Sequence, residues 1–341
     1  MNIPHYFTDT HIALAHGNGG RLMRELIEGL FARHLKNELL DTQVDAAHLP
    51  IDPGSGEIMI TTDGFTVEPL EFPGGNIGSL AVHGTINDLA VSGATPLYLT
   101  LSVFIEEGLE VAVLDRLLES MAQACRESKV RVVAGDTKVL RRGQGGGVYF
   151  AMAGVGVRPS KLLLGINQIR SGDLILLSGT VGDHGTAVLL AREQFGLSGD
   201  LKSDSASVLP ITQALSEITG LRFMRDPTRG GLATVANEIA QATVTTVRLN
   251  EIHIPILAPV RAVCDMLGYD PLYLASEGRV VAVMTPDSAE LALSKLKELG
   301  YNDAAIIGVV NSGRAQVVLE TELGGERILA ELEDDPLPRI C

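Results

Sequence analysis

The stretch GTINDLAVSGATPLYLTLSVFI, residues 84–105, carries a helix into a strand across a single short turn. Residues from about Ile77 to Ser92 read as a helix that stops before Gly93, and residues from about Leu97 to Ile105 read as a strand. The same alternation recurs on either side. Strands near Glu57 to Thr62, Val130 to Ala134 and Val148 to Val157 surround a second helix from about Glu110 to Ser128, whose Leu114, Leu118, Met121 and Cys125 share one stripe. An amphipathic helix from about Arg21 to Asn37 precedes them, with Leu22, Met23, Leu26, Ile27, Leu30, Phe31 and Leu35 at helical spacing. Together these predict an α/β or α+β first domain over residues 1–157.

Arg158-Pro159-Ser160 reads as a junction into a second series. A buried strand is expected at Leu174 to Leu177, helices near 184–195, 207–219, 232–242, 259–267 and 287–299, and strands near 244–249, 279–284, 304–310 and 315–319. Cys264 shares an apolar stripe with Val260, Val263 and Leu267 and reads as core. This second α/β domain spans residues 158–332 and leaves a tail, 333–341. With 341 residues and 45% hydrophobic content, the chain can build a core in each domain.

With 27 basic against 42 acidic residues the net charge is -15, and no long Lys/Arg run interrupts it. Nucleic acid and anionic membrane are therefore excluded as expected partners. No apolar stretch approaches the roughly 18 residues of a membrane span, and residues 1–16 lack the pattern of an export signal. The three cysteines form neither a disulfide framework nor a CxxC pair. A soluble protein of the reducing cytoplasm is expected.

Candidate chemistry begins with Asp63 in TTDGF and Asp136 in AGDTK, each read as closing a strand. A turn explains either alone, but strand ends are where α/β proteins gather ligand groups, and hard oxygens suit Mg²⁺ carried with phosphates. Asn87 and Asp88 fall in the last turns of a helix, where a carboxylate opposes the dipole by several tenths of a kcal/mol. Solvation or a cation relieves that conflict; the latter makes both residues metal or nucleotide candidates. Asp226-Pro227-Thr228-Arg229-Gly230-Gly231 precedes another helix. Asp226 could be its N-cap, yet each glycine costs about 1 kcal/mol in a helix, whereas bare backbone beside an Arg suits phosphate. His16-Gly17-Asn18-Gly19-Gly20 has the same logic without being a Walker loop. Gly182-Asp183-His184-Gly185 is equally well read as an Asp183 N-cap. Glu277, before a strand, is either a surface residue or a carboxylate base.

The tail, Glu333 to Cys341, joins an acidic run to two prolines and predicts an extended, mobile arm. Its nine residues reach about 30 Å at roughly 3.3 Å each. Its last residue, Cys341, is a free thiol that could enter its own site or a neighbour's. Arg339 favours its thiolate and the terminal carboxylate opposes it, which suits a carrier thiol better than an attacking nucleophile.

These motifs resemble the superfamily of aminoimidazole-ribotide synthetase, selenophosphate synthetase and thiamine-monophosphate kinase, and most closely its HypE family of hydrogenase-maturation proteins. The likeness runs nearly end to end: HGNGG (16–20), TTDGF (61–65), FPGGNIG (72–78), GTINDLAVSGATP (84–96), GDTKV (135–139), GDHG (182–185), RDPTRGG (225–231), SEGR (276–279) and the terminal PRIC (338–341). The nucleotide motifs belong to the superfamily; the PRIC terminus singles out HypE. The resemblance implies an aminoimidazole-ribotide-synthetase-like fold and a homodimer whose N-terminal sheets pair and bind ATP near the interface. It implies that a HypF-type carbamoyltransferase loads Cys341, that ATP-dependent dehydration turns this thiocarbamate into a thiocyanate, and that the cyano group passes to a HypC–HypD iron-assembling scaffold. It further implies Asp63, Asp88, Asp136 and Asp226 as metal or phosphate-side ligands, Asn87, the 17–20 loop and Thr228 to Gly231 beside the nucleotide, and Lys138 and Glu277 for charge stabilisation and proton removal. Two other readings stay open: a synthetase or kinase of the same superfamily acting on a free small molecule, and a non-catalytic thiol carrier.

Overall fold

The computed structural model describes residues 7–17, 21–40, 51–52, 56–192, 200–332, 337 and 340–341. In chain order the helices are α1 (Arg21–Leu26), α2 (Ala32–Leu35), α3 (Ile77–Val91), α4 (Val111–Ser128), α5 (Asp183–Arg192), α6 (Leu209–Ser216), α7 (Gly231–Thr243), α8 (Ala258–Leu267) and α9 (Pro286–Glu298). The strands are β1 (Glu57–Phe65), β2 (Glu71–Phe72), β3 (Gly75–Asn76), β4 (Thr95–Glu106), β5 (Arg131–Leu140), β6 (Val148–Arg158), β7 (Leu174–Leu177), β8 (Leu221–Arg225), β9 (Thr245–Asn250), β10 (Val281–Met284), β11 (Ala305–Ser312), β12 (Gln316–Glu320) and β13 (Glu326–Ile328). A π turn, Ile27–Phe31, joins α1 to α2, so the first amphipathic pattern is one interrupted helix.

The first sheet has the order β1-β6-β4-β5, with β4 and β5 parallel and the other pairs antiparallel. Its inner face is set by alternation: Phe65, Leu101, Val103, Phe150 and Met152 are buried. Helix α3 packs against this face, and α4 packs against α3. Asn76 starts α3 in a capping box, accepting from the amides of Gly78 and Ser79 while the Ser79 hydroxyl bonds back to the amide of Asn76. Leu80, Ile86, Leu89 and Ala90 leave α3 no solvated side, because it lies between the sheet and the second domain. The opposite face of the sheet exposes Ile58, Ile60 and Phe104.

The second sheet has the order β13-β12-β9-β11-β7-β10-β8, parallel only at β9 and β12 among its pairs. Helix α7 covers one face with Leu232, Val235 and Ile239, and α6 and α9 cover the other with Leu215, Ala289 and Leu296. The second domain has an apolar core of its own, and a further core is shared between the domains. Leu189, Cys264, Leu337 and Ile340 of the second half pack in one apolar cluster with Leu80 and Leu118 of the first.

Three expectations change. Neither Asp63 nor Asp136 ends its strand: β1 continues to Phe65 and β5 to Leu140, so both acids are mid-strand residues. Strands β2, β3, β8 and β13 escaped the sequence reading; all but β8 are three residues or fewer, too short for a period to show. The tail is not a free arm at its end, since Leu337 and Ile340 are buried.

Candidate active site

Strand β1, helix α3, the start of α7 and the loop before β10 converge on a cavity of about 320 Å³. Asp63, Asp88, Asp226, Thr228, Arg229, Glu277 and Cys341 line it. A neighbouring cavity of about 450 Å³ shares Asp88, Arg225, Asp226 and Thr228 with it and adds Thr61. The inward parity of β1 directs Asp63 toward α3, and Thr61, two residues back on the same face, donates its hydroxyl to Asp88 at 2.8 Å. The position that spared Asp88 from solvent on the helix end is thus a strand hydroxyl as well as a cavity.

The four acids are held against their preference for charge. Burial raises Asp63, while its hydrogen bond from the Gly64 amide and the charge of Arg229 oppose the rise. Burial also raises Asp88, with the charge of Asp63 adding to it. Asp226 is pushed up to about 7 by burial and then by Asp88. Glu277 is raised well above its ordinary value by burial and then by the charges of Asp226, Asp204, Asp63 and Asp88. Its Oε1 is buried without a hydrogen-bond partner. Among the described residues no three His, Cys, Asp or Glu side chains already stand in coordinating positions. The set nevertheless fits a hard divalent cation arriving with phosphates: it offers carboxylate oxygens, one of them unpartnered, and a positive charge there would relieve their repulsion.

The terminal thiol lies inside this group. Arg229 Nε donates to Cys341 Sγ at 3.3 Å, and Thr66 donates its backbone N–H at 3.0 Å and its hydroxyl at 3.2 Å to a carboxylate oxygen of Cys341. Burial and the charge of Glu277 push the thiol up to about 12, with Arg229 opposing. The thiol is therefore neither exposed nor activated as a nucleophile, which suits a carrier.

Asp136 and Lys138 stand elsewhere. The register sets Asp63 opposite Met152, Met152 opposite Leu101 and Leu101 opposite Gly135, so Asp136 points to the other face of the sheet, beside Ser102. There it pairs with Lys138 at 2.6 Å, both half-exposed. Gly17 lies against β5 at Val139, whose parity is opposite to that of Asp136 and Lys138: a Cβ on Gly17 would meet Val139 at 2.9 Å. Asn18, Gly19 and Gly20 lie outside the described residues.

Two of the nucleotide candidates have structural partners of their own. Asn87 donates to the carbonyls of Ala206 and Glu277 at 3.0 and 3.1 Å and accepts from the Val208 amide at 2.9 Å. Its amide is consumed in tying α3 to the segments that carry Glu277 and α6. Gly230 and Gly231 do not line the acidic cavity; Thr228 and Arg229 do. The glycines answer to packing: both have positive φ, and a Cβ on Gly231 would lie 2.5 Å from the Leu274 carbonyl oxygen. Asp226 is no N-cap either, since α7 begins at Gly231. Asp183 opens α5 but turns inward to Thr180 and Arg279.

Sequence reasoning missed Thr66, Arg225 and Asp204. Asp204 accepts from the amides of Glu277 and Gly278 at 3.1 and 3.2 Å and so shapes the turn that presents Glu277. Only Arg225 had a signal, its adjacency to Asp226.

Residues 43–158 match the family described as AIR synthase related protein, N-terminal domain, and residues 170–320 match its C-terminal domain. The chain is 46% identical over 333 residues to the carbamoyl dehydratase HypE of Azotobacter vinelandii, covering 97% of each. A crystal structure of the hydrogenase maturation protein HypE in complex with ATP superposes with a TM-score of 0.92 at 43% identity, covering 96% of this chain and 99% of that one. A HypE–HypF complex matches with a TM-score of 0.78 at 40% identity, covering 92% and 100%.

Proposed function

The chain belongs to the AIR synthase related family and, within it, to the HypE carbamoyl dehydratases; on that premise we propose that it uses ATP to dehydrate a carbamoyl group on its own Cys341 to a thiocyanate, supplying cyanide for nickel-iron hydrogenase maturation. The observation that carries this reading is the seat of the terminal thiol among Arg229, Asp63, Asp226 and Glu277.

The amide oxygen is a poor leaving group, so it must first be phosphorylated. The carbamoyl oxygen attacks the γ-phosphorus, ADP departs, and one N–H proton leaves to give an S-linked imidate phosphate. Loss of the second N–H proton then breaks the C–O bond, releases phosphate and forms C≡N, with no change of oxidation state. Glu277 is the base for these protons: buried, near the sulfur and with a free oxygen. Arg229 and Thr228 face the phosphates and the developing charge. Mg²⁺ would be held by Asp63, Asp88 and Asp226, with Asp136 contributed by a second copy, and supplies neutralisation of phosphate charge. Its arrival would also lower Glu277 toward its ionised, basic form.

Asp136 and Lys138 form a half-site that this chain's own cavity does not contain. They share the open sheet face with Ile58, Ile60 and Phe104, and an apolar face carrying polar site residues is what pairing of two N-terminal sheets would bury. We therefore propose a homodimer in which each cavity receives Lys138 and Asp136 from its neighbour. A HypF-type carbamoyltransferase is the proposed loading partner, supported by the solved HypE–HypF complex. A HypC–HypD scaffold is the proposed acceptor, and the cytoplasm, where thiols stay reduced, the proposed compartment. Among the described residues no helix is long and apolar enough to cross a membrane.

The test is mass spectrometry of the C-terminal peptide after incubation with a carbamoyl donor system, with and without ATP. We expect a carbamoyl adduct on Cys341 without ATP and a cyano adduct with it. A carbamoyl adduct that persists unchanged with ATP overturns the dehydratase and leaves the thiol carrier.

A further inference from the structure

Behind the terminal residue runs a polar chain that the proposed chemistry does not use. His184, on the first turn of α5, is fully buried. Its Nε2 lies 2.7 Å from the carbonyl oxygen of Ile340, and its Nδ1 lies 2.8 Å from the Ser203 hydroxyl. A carbonyl oxygen only accepts, so Nε2 carries the proton. The Ser203 oxygen already accepts the Ser205 amide at 3.0 Å, which leaves its own hydrogen for Nδ1. The serine thereby holds the buried ring in a single neutral tautomer, the one that can donate to Ile340. Phe72 meets the ring edge-on, with centroids 5.4 Å apart, and limits its rotation.

The same peptide is gripped from its other side. Ile340 is buried, and it shares a small apolar pocket with Leu337, Tyr273, Leu274 and Ala275 of the second domain. Thr66, just beyond β1 in the first domain, holds a carboxylate oxygen of Cys341 through two hydrogen bonds. His184 and Thr66 thus bind the Ile340 carbonyl and the terminal carboxylate, on either side of the residue that carries the thiol.

We propose that His184, its tautomer set by Ser203, is a positioning residue that latches the Ile340 carbonyl and so seats Cys341 in the acidic cavity; the reading rests on the proposed use of Cys341 as carrier. A carrier tail must leave to be loaded and return to react, and a single neutral hydrogen bond to a backbone carbonyl suits a seat that is held but releasable. The bond is independent of the side chain at 340 and of what the sulfur carries.

The experiment compares wild type with His184→Gln, whose amide nitrogen can take the place of Nε2, and His184→Leu, which keeps bulk without a donor. The rate at which a maleimide labels Cys341, read on the C-terminal peptide, reports undocking without any need for turnover. The single-turnover conversion of carbamoylated to cyanated peptide reports positioning. His184→Leu is expected to label about tenfold faster and convert about tenfold more slowly, the worth of one hydrogen bond with its buried partner left unpaired. His184→Gln is expected to stay within about threefold of wild type in both. Should His184→Leu not fold, Ser203→Ala replaces it, with labelling expected to rise severalfold above His184→Gln. Equal labelling rates in the donor-retaining and donor-lacking variants overturn the latch. Faster labelling in a protein whose wild type never forms the cyano adduct keeps the latch and removes the dehydratase.

Discussion

Asp226 shows how much of this site is decided one residue at a time. Its type and its place before a helix were legible, and they pointed to an N-cap or a phosphate-side acid. Its real condition, buried with Asp88 and Asp63 as neighbours, was not. That condition has a measurable sign. With its pKa raised from 3.8 to about 7, the folded protein holds a proton there that the unfolded chain has released. The stabilisation is complete below the unfolded value and is lost as pH rises through the folded one. Nucleotide-free wild type should therefore lose stability relative to Asp226→Asn between about pH 4 and pH 7, on the order of 2–4 kcal/mol. Urea unfolding of both proteins across that range checks it, and a difference that stays constant with pH refutes the account. Glu277 carries the same lesson more strongly: its spacing left a surface residue and a base equally open, and burial beside four carboxylates favours the base.

Elements were legible where apolar periodicity was long. The helices α4, α7, α8 and α9 lie within a residue or so of where their patterns place them. The strand β5 was cut short because Gly135 and Asp136 are poor strand residues, whereas nine register pairs with β4 carry the strand through them. At α7 the paired glycines suggested a phosphate cradle by composition, yet Gly231 is explained by a contact 43 residues away in sequence. The Leu274 carbonyl lies where a Gly231 Cβ would be, and φ there is +60°. Gly231→Ala should destabilise the protein by about 2–3 kcal/mol through strain and steric conflict, lowering Tm by roughly 5–10 °C. Calorimetry decides this; a Tm within 1 °C of wild type would remove the packing explanation and restore the cradle.

On the scale of the molecule, the chain places its candidate site residues on opposite faces of one sheet. Asp63, Glu277 and Cys341 face inward with Asp88 and Asp226, while Asp136 and Lys138 face outward with the exposed Ile58 and Ile60. If two copies complete each other, Lys138→Ala and Cys341→Ser should each be inactive alone and recover activity when refolded together, to about a quarter of wild type for random pairing into dimers. No recovery in mixtures that size-exclusion with light scattering shows to be dimeric would place Lys138 in its own chain's site or outside the chemistry. The sequence by itself determined the two α/β domains, the acidic surface and the residue types of the site, because periodicity, net charge and short motifs are local properties of a chain. Only the tertiary structure decided which of those residues share a cavity. Strand parity turned Asp136 away from Asp63, the amide of Asn87 was taken by backbone, and burial converted four ordinary acids into a cluster whose charged forms are disfavoured. Those outcomes depend on neighbours brought from distant positions, and for that reason no local pattern could carry them.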